Sequence, residues 1–203
     1  MPFSTWLAFA SIALAAAFSP GPGVLLAIST ASAAGARRTV FSSAGNVVGI
    51  FLLAGLTVAG LGLLLKASPL LFLLFRGAGA VYLVYLGVRQ WRIAAAASVT
   101  LPAAGPALDS RLGAFQRGLL VAVTNPKAVL FLTAVYPQFM PPGEFAPLRF
   151  FLLTFTFMAS AAVSHLSYVT LSSVLLKRAR MQLIHRIGGT VFIALGLALL
   201  AFS

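Results

Sequence analysis

The chain has 203 residues, of which 61% are hydrophobic and only 8% are charged. So much apolar surface excludes a soluble globular domain of this length and predicts an all-α integral membrane protein. The formal net charge of +12 would suggest nucleic-acid binding in a soluble protein, but here the cations cluster at the ends of apolar segments. Cations in such places bind anionic lipid head groups, so we expect membrane lipids and no nucleic acid as partners.

Six apolar segments follow one another along the chain, and most of them reach the roughly 20 residues that cross a bilayer as a helix. In chain order they are Pro2–Ala33, Val40–Leu65, Pro69–Trp91, Leu112–Phe139, Ala146–Leu176 and Ile184–Phe202. The longest connection, 92–111, is rich in Ala, Pro, Ser and Gly and is predicted to be a flexible loop. Residues 140–143 are predicted to form a tight turn. No soluble domain fits between the segments, so 1–203 is expected to be a single membrane domain.

The distribution of Lys and Arg predicts the orientation in the membrane. Three cations, Lys66, Arg76 and Arg149, lie on one side, and Lys127 lies inside a segment. The other ten lie at the odd-numbered connections: Arg37, Arg38, Arg89, Arg92, Arg111, Arg117, Lys177, Arg178, Arg180 and Arg186. The positive-inside rule places the odd connections in the cytoplasm, so six spans put both termini outside. The expected location is a bacterial-type inner (plasma) membrane.

Two of the six segments are interrupted. Ser19-Pro20-Gly21-Pro22-Gly23 breaks the first segment, and Thr124-Asn125-Pro126 breaks the fourth. Proline removes a backbone donor and disfavours helix at the preceding residue, while glycine lets the backbone unwind. Lys127 directly follows the second break, and a charge at the centre of a span costs roughly 2.5 to 3.5 kcal/mol. A broken helix that carries a cation at membrane depth favours a site that water or substrate reaches.

The two breaks together predict a substrate-binding site near the membrane midplane. Helices that restart after a break direct free N–H groups and a positive dipole end into the membrane, which suits a carboxylate beside the lysine. Carbonyl groups freed before each break could accept bonds from an ammonium group, so the site suits a small zwitterion. Its predicted residues are Ser19, Pro20, Gly21, Pro22, Gly23, Thr124, Asn125, Pro126 and Lys127. The alternative is a pair of simple proline kinks with a lysine that extends to the membrane surface.

Two further polar residues lie inside apolar segments. We take His165 as a candidate for proton coupling, because its unperturbed pKa near 6.5 suits proton transfer. The alternative is a structural histidine that bonds to Ser164 or Ser167 beside it. Asn46 lies within Gly45–Gly49, whose Gly-x-x-x-Gly spacing favours close helix packing.

Nothing in the sequence indicates an enzyme or a bound cofactor. Both acids, Asp109 and Glu144, lie in connections, so acid–base catalysis within the membrane has no agents. There is also no cysteine, which excludes disulfides and thiolate metal sites. We therefore expect no catalytic residues, no metal and no cofactor.

The two halves of the chain resemble each other. A shift of 106 residues places Ser19-Pro20 on Asn125-Pro126, and a shift of 110 residues places 76–82 on 186–192. The predicted repeats are 1–91 and 112–203, joined by the loop 92–111. Three spans in each repeat give the halves opposite orientations, which is the inverted repeat of many secondary transporters.

A set of motifs in fixed order resembles the LysE/RhtB family of amino-acid exporters over essentially the whole chain. The set comprises 19–22, 34–38, 79–87, 115–118, 124–128 and 137–139. The resemblance implies a six-helix inner-membrane protein that exports amino acids with the proton gradient, closer to the homoserine/threonine-type branch than to the lysine-type branch. Many members carry an acid within the fifth segment, whereas 158–165 here has none. This departure argues against a cationic substrate and draws attention to His165.

The sequence therefore predicts a secondary exporter of small neutral amino acids resembling homoserine, threonine or leucine. We expect the substrate carboxylate to face Lys127, and we expect alternating access to come from one repeat rocking against the other. Two alternatives stay open: an exporter of other small metabolites or ions, and a membrane interaction subunit that transports nothing. Metal ions are the less favoured cargo, since they prefer carboxylate, imidazole or thiolate ligands. The oligomeric state is open, and a homodimer is compatible with the sequence.

Overall fold

The structure is a computed structural model that describes residues 1–96, 110–140, 146–171 and 178–201. Within these ranges all regular structure is helical, which confirms the all-α prediction. The seven helices described are α1 (Phe3–Phe18), α2 (Pro22–Ala67), α3 (Pro69–Ala96), α4 (Arg111–Thr124), α5 (Pro126–Phe139), α6 (Pro147–Thr170) and α7 (Arg178–Ala201).

The predicted connection between the first two segments, 34–39, is reduced to a single residue, because helical backbone continues on both sides of Gly35 within α2. Only Gly35 leaves the helical conformation, with φ 77° and ψ 173°. A side chain would strain this backbone, while glycine adopts it freely. Apart from its chain neighbours, no atom of the described residues lies within 4 Å of the position of an added Cβ, so the preference for glycine here is conformational. The chain therefore bends at a single residue between helical stretches 22–34 and 36–67.

Other helix ends differ modestly from the predicted segments. Helix α3 continues to Ala96, so the start of the predicted loop 92–111 is helical, and α7 begins at Arg178 rather than Ile184. Arginine is a good helix former whose long side chain reaches the head groups, so cations at a membrane edge do not end a helix. Three predicted features lie outside the described residues: the remaining loop 97–109, the turn at 141–143 and the end of the fifth segment at 172–176.

Three helical stretches of the described chain are long and apolar enough to cross a membrane: Pro22–Gly60, Pro147–Thr170 and Ala179–Ala198. The pair α4 and α5, bent by 53° at its break, counts as a fourth. Helix α1 has only 16 residues, because the first break cuts its segment short. The stretches before and after the kink at Gly35 belong to two predicted segments, and the six-span topology stays a prediction.

Helices α2 and α4 pack with their backbones in direct contact. A Cβ added at Gly45 would collide with the carbonyl oxygen of Phe115, and one added at Gly118 would collide with that of Ser42. A Cβ at Gly49 would lie 2.8 Å from the carbonyl oxygen of Leu119. The predicted packing role of the Gly45–Gly49 motif is therefore confirmed.

A second close contact joins α3 and α7. A Cβ added at Gly87 would lie 2.6 Å from the carbonyl oxygen of Gly189, and the reverse distance is 2.8 Å. Gly79 lies against Ala134 of α5 in the same way, at 3.0 Å. Gly79 and Gly189 therefore allow close helix packing, whereas an added Cβ at Gly77 would meet no described atom within 4 Å.

Buried aromatic side chains pack α1 against α5 and α5 against α6. Phe9 is fully buried and packs edge-on against Tyr136, with ring centroids 6.0 Å apart. Phe131 of α5 stacks on Phe157 of α6 at 4.7 Å. These contacts fix α1, which leads into the first break, against α5, which follows the second.

Candidate functional site

Both predicted helix breaks are present and have nearly the same geometry. Helix α1 ends at Ser19, with φ −67° and ψ 112°, and α4 ends at Asn125, with φ −73° and ψ 107°. The next helices start at Pro22 and Pro126. Proline suits a first helical position, because no intrahelical acceptor is available there for an N–H. The Asn125 side chain caps α5 by accepting from the backbone N–H of Lys127 at 3.0 Å.

Lys127 connects the two breaks. Its half-buried side chain crosses from α5 to the first break, where Nζ donates to the carbonyl oxygen of Ser19. Gly21 leaves room for it, since an added Cβ there would lie 3.3 Å from Lys127 Cδ and 3.7 Å from Nζ. The ammonium group therefore faces the other break, which disagrees with the alternative of a lysine extended to the membrane surface.

The C-terminal carbonyl groups of α1 are bound by side chains of the second half of the chain. Ser164 Oγ donates to the oxygen of Ala17 at 2.8 Å, and the Tyr168 hydroxyl donates to that of Phe18 at 2.7 Å. With the bond from Lys127 to Ser19, three consecutive carbonyls accept from three side chains. The last carbonyls of a helix lack intrahelical donors, so these bonds satisfy them. A substrate ammonium group would have to share these carbonyls or bind elsewhere in the cavity.

A cavity of about 50 Å³ lies between the breaks. Five predicted site residues line it, namely Ser19, Gly21, Gly23, Asn125 and Lys127, and so does His165. The other lining residues are Ala16, Ala17, Val24, Asn46, Ile50, Ala122, Ala128, Phe131, Phe157 and Ala161. None of the lining residues is acidic.

Four of the predicted site residues do not line the cavity. Pro20, Pro22 and Pro126 lie in the backbone that forms the breaks, so they shape the site without lining it. Thr124 is exposed, and its hydroxyl donates to the carbonyl oxygen of Leu120 one turn earlier in α4.

Asn46 and His165 form the second polar part of the cavity. Both are buried, and a Cβ added at Gly23 would lie 3.2 Å from Asn46 Nδ2 and 3.2 Å from His165 Nε2. His165 Nδ1 lies 3.2 Å from Ser43 Oγ, so its described partner is on α2 and is neither of the serines beside it in sequence. Asn46 also bonds to the Gly118 carbonyl oxygen at 3.4 Å. The sequence signal for Asn46 was its amide within an apolar segment.

A chain of buried polar side chains leads away from Ser19. Gln90 of α3 donates to Ser19 Oγ, and His185 Nδ1 of α7 lies 2.5 Å from Gln90 Oε1. Their exposed fractions are 7% and 3%. Neither residue stands out in the sequence. His185 lies at the predicted start of the last segment. Since α7 begins at Arg178, His185 lies about two turns inside the helix.

The family model of the LysE type translocator matches residues 14–203, which include both breaks and every residue of the cavity. The chain belongs to this family. It is therefore a translocator and not an enzyme, as the sequence predicted. Within the described residues, no group of three or more His, Cys, Asp or Glu side chains is placed to hold a metal ion.

Named relatives of this LysE family member include efflux proteins. The homoserine/homoserine lactone efflux protein of Salmonella typhimurium is 33% identical over 205 residues, which cover 99% of this chain and 98% of that protein. A leucine efflux protein of the same species is 32% identical over 158 residues, or 75% of this chain and 71% of that protein. An uncharacterized membrane protein of Vibrio cholerae is 29% identical and covers 98% of each chain. No solved structure matches the chain.

Proposed function

We propose that this chain exports small neutral amino acids from the cytoplasm. The names of the homoserine and leucine efflux relatives support amino acids as the substrate class. The observation that carries the proposal is the position of Lys127, which joins both helix breaks at a cavity lined by no acid. A cation at membrane depth with no carboxylate beside it suits a carboxylate supplied by the substrate.

The substrate carboxylate binds between Lys127 and the starts of the two restarting helices. Val24 and Ala128 line the cavity within the first turns of helix 22–34 and of α5. First-turn N–H groups have no intrahelical acceptor, and the positive end of the helix dipole favours an anion. Binding therefore replaces the Ser19 carbonyl by a carboxylate as the partner of the Lys127 ammonium group.

The rest of the cavity favours a neutral substrate side chain. Phe131, Phe157 and Ile50 supply apolar surface, while Asn46 and His165 supply neutral polar groups. A hydroxyl or a short aliphatic group finds a partner among these residues. A cationic side chain finds no counter-charge among the lining residues, so lysine and arginine are disfavoured.

Transport requires the cavity to open. Its volume of about 50 Å³ is far below the roughly 300 Å³ at which typical ligand pockets begin, so the cavity has to enlarge before it holds a substrate. We propose that the chain forms six spans in two inverted repeats in the inner membrane, with the odd connections in the cytoplasm. The matching φ and ψ values of Ser19 and Asn125 support this repeat. Rocking one repeat against the other would expose the site to each side in turn.

An efflux assay in dipeptide-fed cells tests the proposal. Cells that express the chain, an empty vector, Lys127→Ala or Arg89→Ala are loaded with dipeptides that release homoserine, leucine or lysine. We expect faster efflux of homoserine or leucine with the wild type, and we expect efflux at the vector level with Lys127→Ala. Arg89 is exposed and outside the cavity, so Arg89→Ala serves as the matched control for loss of a cation.

The assay has two contrary outcomes with different meanings. Normal efflux by Lys127→Ala, at an equal amount of protein in the membrane, would remove Lys127 from the substrate site. No efflux of any amino acid by the wild type would instead favour other cargo or a chain that transports nothing.

A further inference from the structure

We infer that His185 is a proton-binding site that couples the proton gradient to the substrate site through Gln90 and Ser19. The inference rests on the proposed export function and adds a group that carries the driving ion. It assigns this role to a residue outside the cavity, in place of His165.

The geometry that carries the inference is a continuous set of hydrogen bonds between the two titratable groups. His185 Nδ1 lies 2.5 Å from Gln90 Oε1, and the Gln90 amide nitrogen donates to Ser19 Oγ. The carbonyl oxygen of the same Ser19 accepts from Lys127 Nζ. One residue at the first helix break therefore contacts the substrate-binding cation on one side and the histidine chain on the other.

The orientation of the Gln90 amide fixes the histidine tautomer. Because the amide nitrogen donates to Ser19, the amide oxygen accepts, and the hydrogen lies on His185 Nδ1. His185 Nε2 then carries a lone pair. This atom is buried and has no hydrogen-bond partner among the described residues. Buried polar atoms are normally paired, so an unpaired imidazole nitrogen indicates a site that takes up something small, and a proton fits it.

The charges around His185 leave Lys127 as its main electrostatic neighbour. Helix α7 packs against α3 and α1, and α1 contains no ionisable side chain. The charge of Lys127 on α5 reaches His185. On α7 the other described ionisable groups are the exposed Arg180 and Arg186, and on α3 they are the exposed Arg89, Arg92 and Tyr85 and the half-buried Tyr82. From α6, Tyr168 contacts Met181 of α7.

The proton step makes and breaks only bonds to hydrogen. His185 Nε2 takes a proton from water on one side of the membrane and later returns it to water on the other side. A proton on His185 places a second positive charge near Lys127, and both groups act on Ser19 through their hydrogen bonds. The proton and the substrate thus both act on the first helix break at Ser19. Coupling requires two ligands to shift the same conformational equilibrium in this way. Export in exchange for proton entry requires the proton and the substrate to be bound alternately. We therefore expect a proton on His185 to weaken substrate binding, and bound substrate to weaken proton binding.

His165 has a different environment and therefore a different role. It lines the cavity, and its Nε2 lies beside Gly23. A group in this place contacts the substrate, so a variant there changes the KM. The ratio of protons to substrate molecules should not change, which makes His165→Gln the matched histidine control.

The test uses the purified full chain in vesicles of phosphatidylethanolamine and phosphatidylglycerol with a pH-sensitive dye inside. The probes are L-homoserine and L-leucine. Exchange of labelled for unlabelled substrate without a pH gradient reports the substrate site, and proton flux driven by a substrate gradient reports coupling. For His185→Gln we expect exchange within about twofold of wild type and proton flux reduced about tenfold or more, within the range of known coupling free energies.

Gln90→Met gives a second, independent variant, because it breaks the link and leaves the histidine in place. We expect the same loss of proton flux, which keeps the test decisive if His185→Gln does not fold. Full proton flux per substrate in either folded variant would overturn the inference. Wild-type transport without proton flux would also overturn it while leaving the proposed function intact. Absence of any wild-type transport of either probe would overturn the proposed function itself, and with it this inference.

Discussion

Substitution of Gly45 by alanine tests the direct backbone contact between α2 and α4. Alanine is the better helix former and would stabilise an unhindered position in α2 by about 1 kcal/mol. At Gly45, however, the new methyl group would collide with the carbonyl oxygen of Phe115, which belongs to the backbone of α4 and cannot rotate away. Forcing extra atoms into a packed contact costs about 1 to 3 kcal/mol or more, so we expect a net loss of stability.

The expected change in melting temperature follows from the size of the chain. For 150 to 250 residues, about 1 kcal/mol corresponds to about 2 to 4 °C in Tm. A net loss of about 2 kcal/mol therefore lowers the Tm by about 4 to 8 °C. The measurement is thermal unfolding of the purified protein in detergent, followed by intrinsic tryptophan fluorescence.

Gly55 supplies the matched control, because it lies on the same helix and an added Cβ there would meet nothing within 4 Å. Gly55→Ala should leave the Tm unchanged or raise it slightly. If Gly45→Ala melts at or above the temperature of Gly55→Ala, the direct contact of α2 with α4 is wrong. The position of Asn46 in the cavity would then be in doubt, since the same contact places it.

Two further substitutions distinguish an effect on the cavity from an effect of backbone strain. Gly23→Ala would place a methyl group 3.2 Å from Asn46 and from His165. We therefore expect efflux of homoserine or leucine to fall about tenfold or more, while the Tm changes by less than about 4 °C. Unchanged efflux would place the substrate elsewhere. Gly35→Ala meets no neighbour but puts a side chain at φ 77°, so we expect a stability loss of about 1 to 3 kcal/mol from backbone strain alone. A Tm for Gly35→Ala equal to that of wild type would contradict the bend at this residue.

The breaks could be predicted from the sequence because their cause is local. Proline at 20, 22 and 126 removes backbone donors whatever the surroundings, and Asn125 caps the helix that follows it. The bend at Gly35 lies within the connection predicted between the first two segments, but a single glycine without a neighbouring proline does not reveal that the connection is only one residue long.

The partners of the breaks could not be predicted, because they depend on how helices pack. In a membrane helix the apolar residues surround the whole circumference, so periodicity does not reveal which face meets which neighbour. Ser164, Tyr168 and Gln90 are ordinary polar residues in the sequence, and only the packing brings them to the end of α1. His185 lies at the predicted start of the last segment and among cations, so its burial two turns inside α7 could not be predicted from the sequence.

The hydrogen bonds from Ser164 and Tyr168 to the end of α1 make the two halves of the chain dependent on each other. Trp6 near the other end of α1 also donates to Thr156 of α6, so this helix is fastened along its length to the second half. In the same way α4, from the second half, is fastened to α2, from the first. The first helix of each half thus packs against the other half, as in a domain swap within one chain. If the repeats rock against each other as proposed, the first helix of each repeat has to release the half against which it packs or move with it, and each break is the link between that helix and the rest of its own repeat.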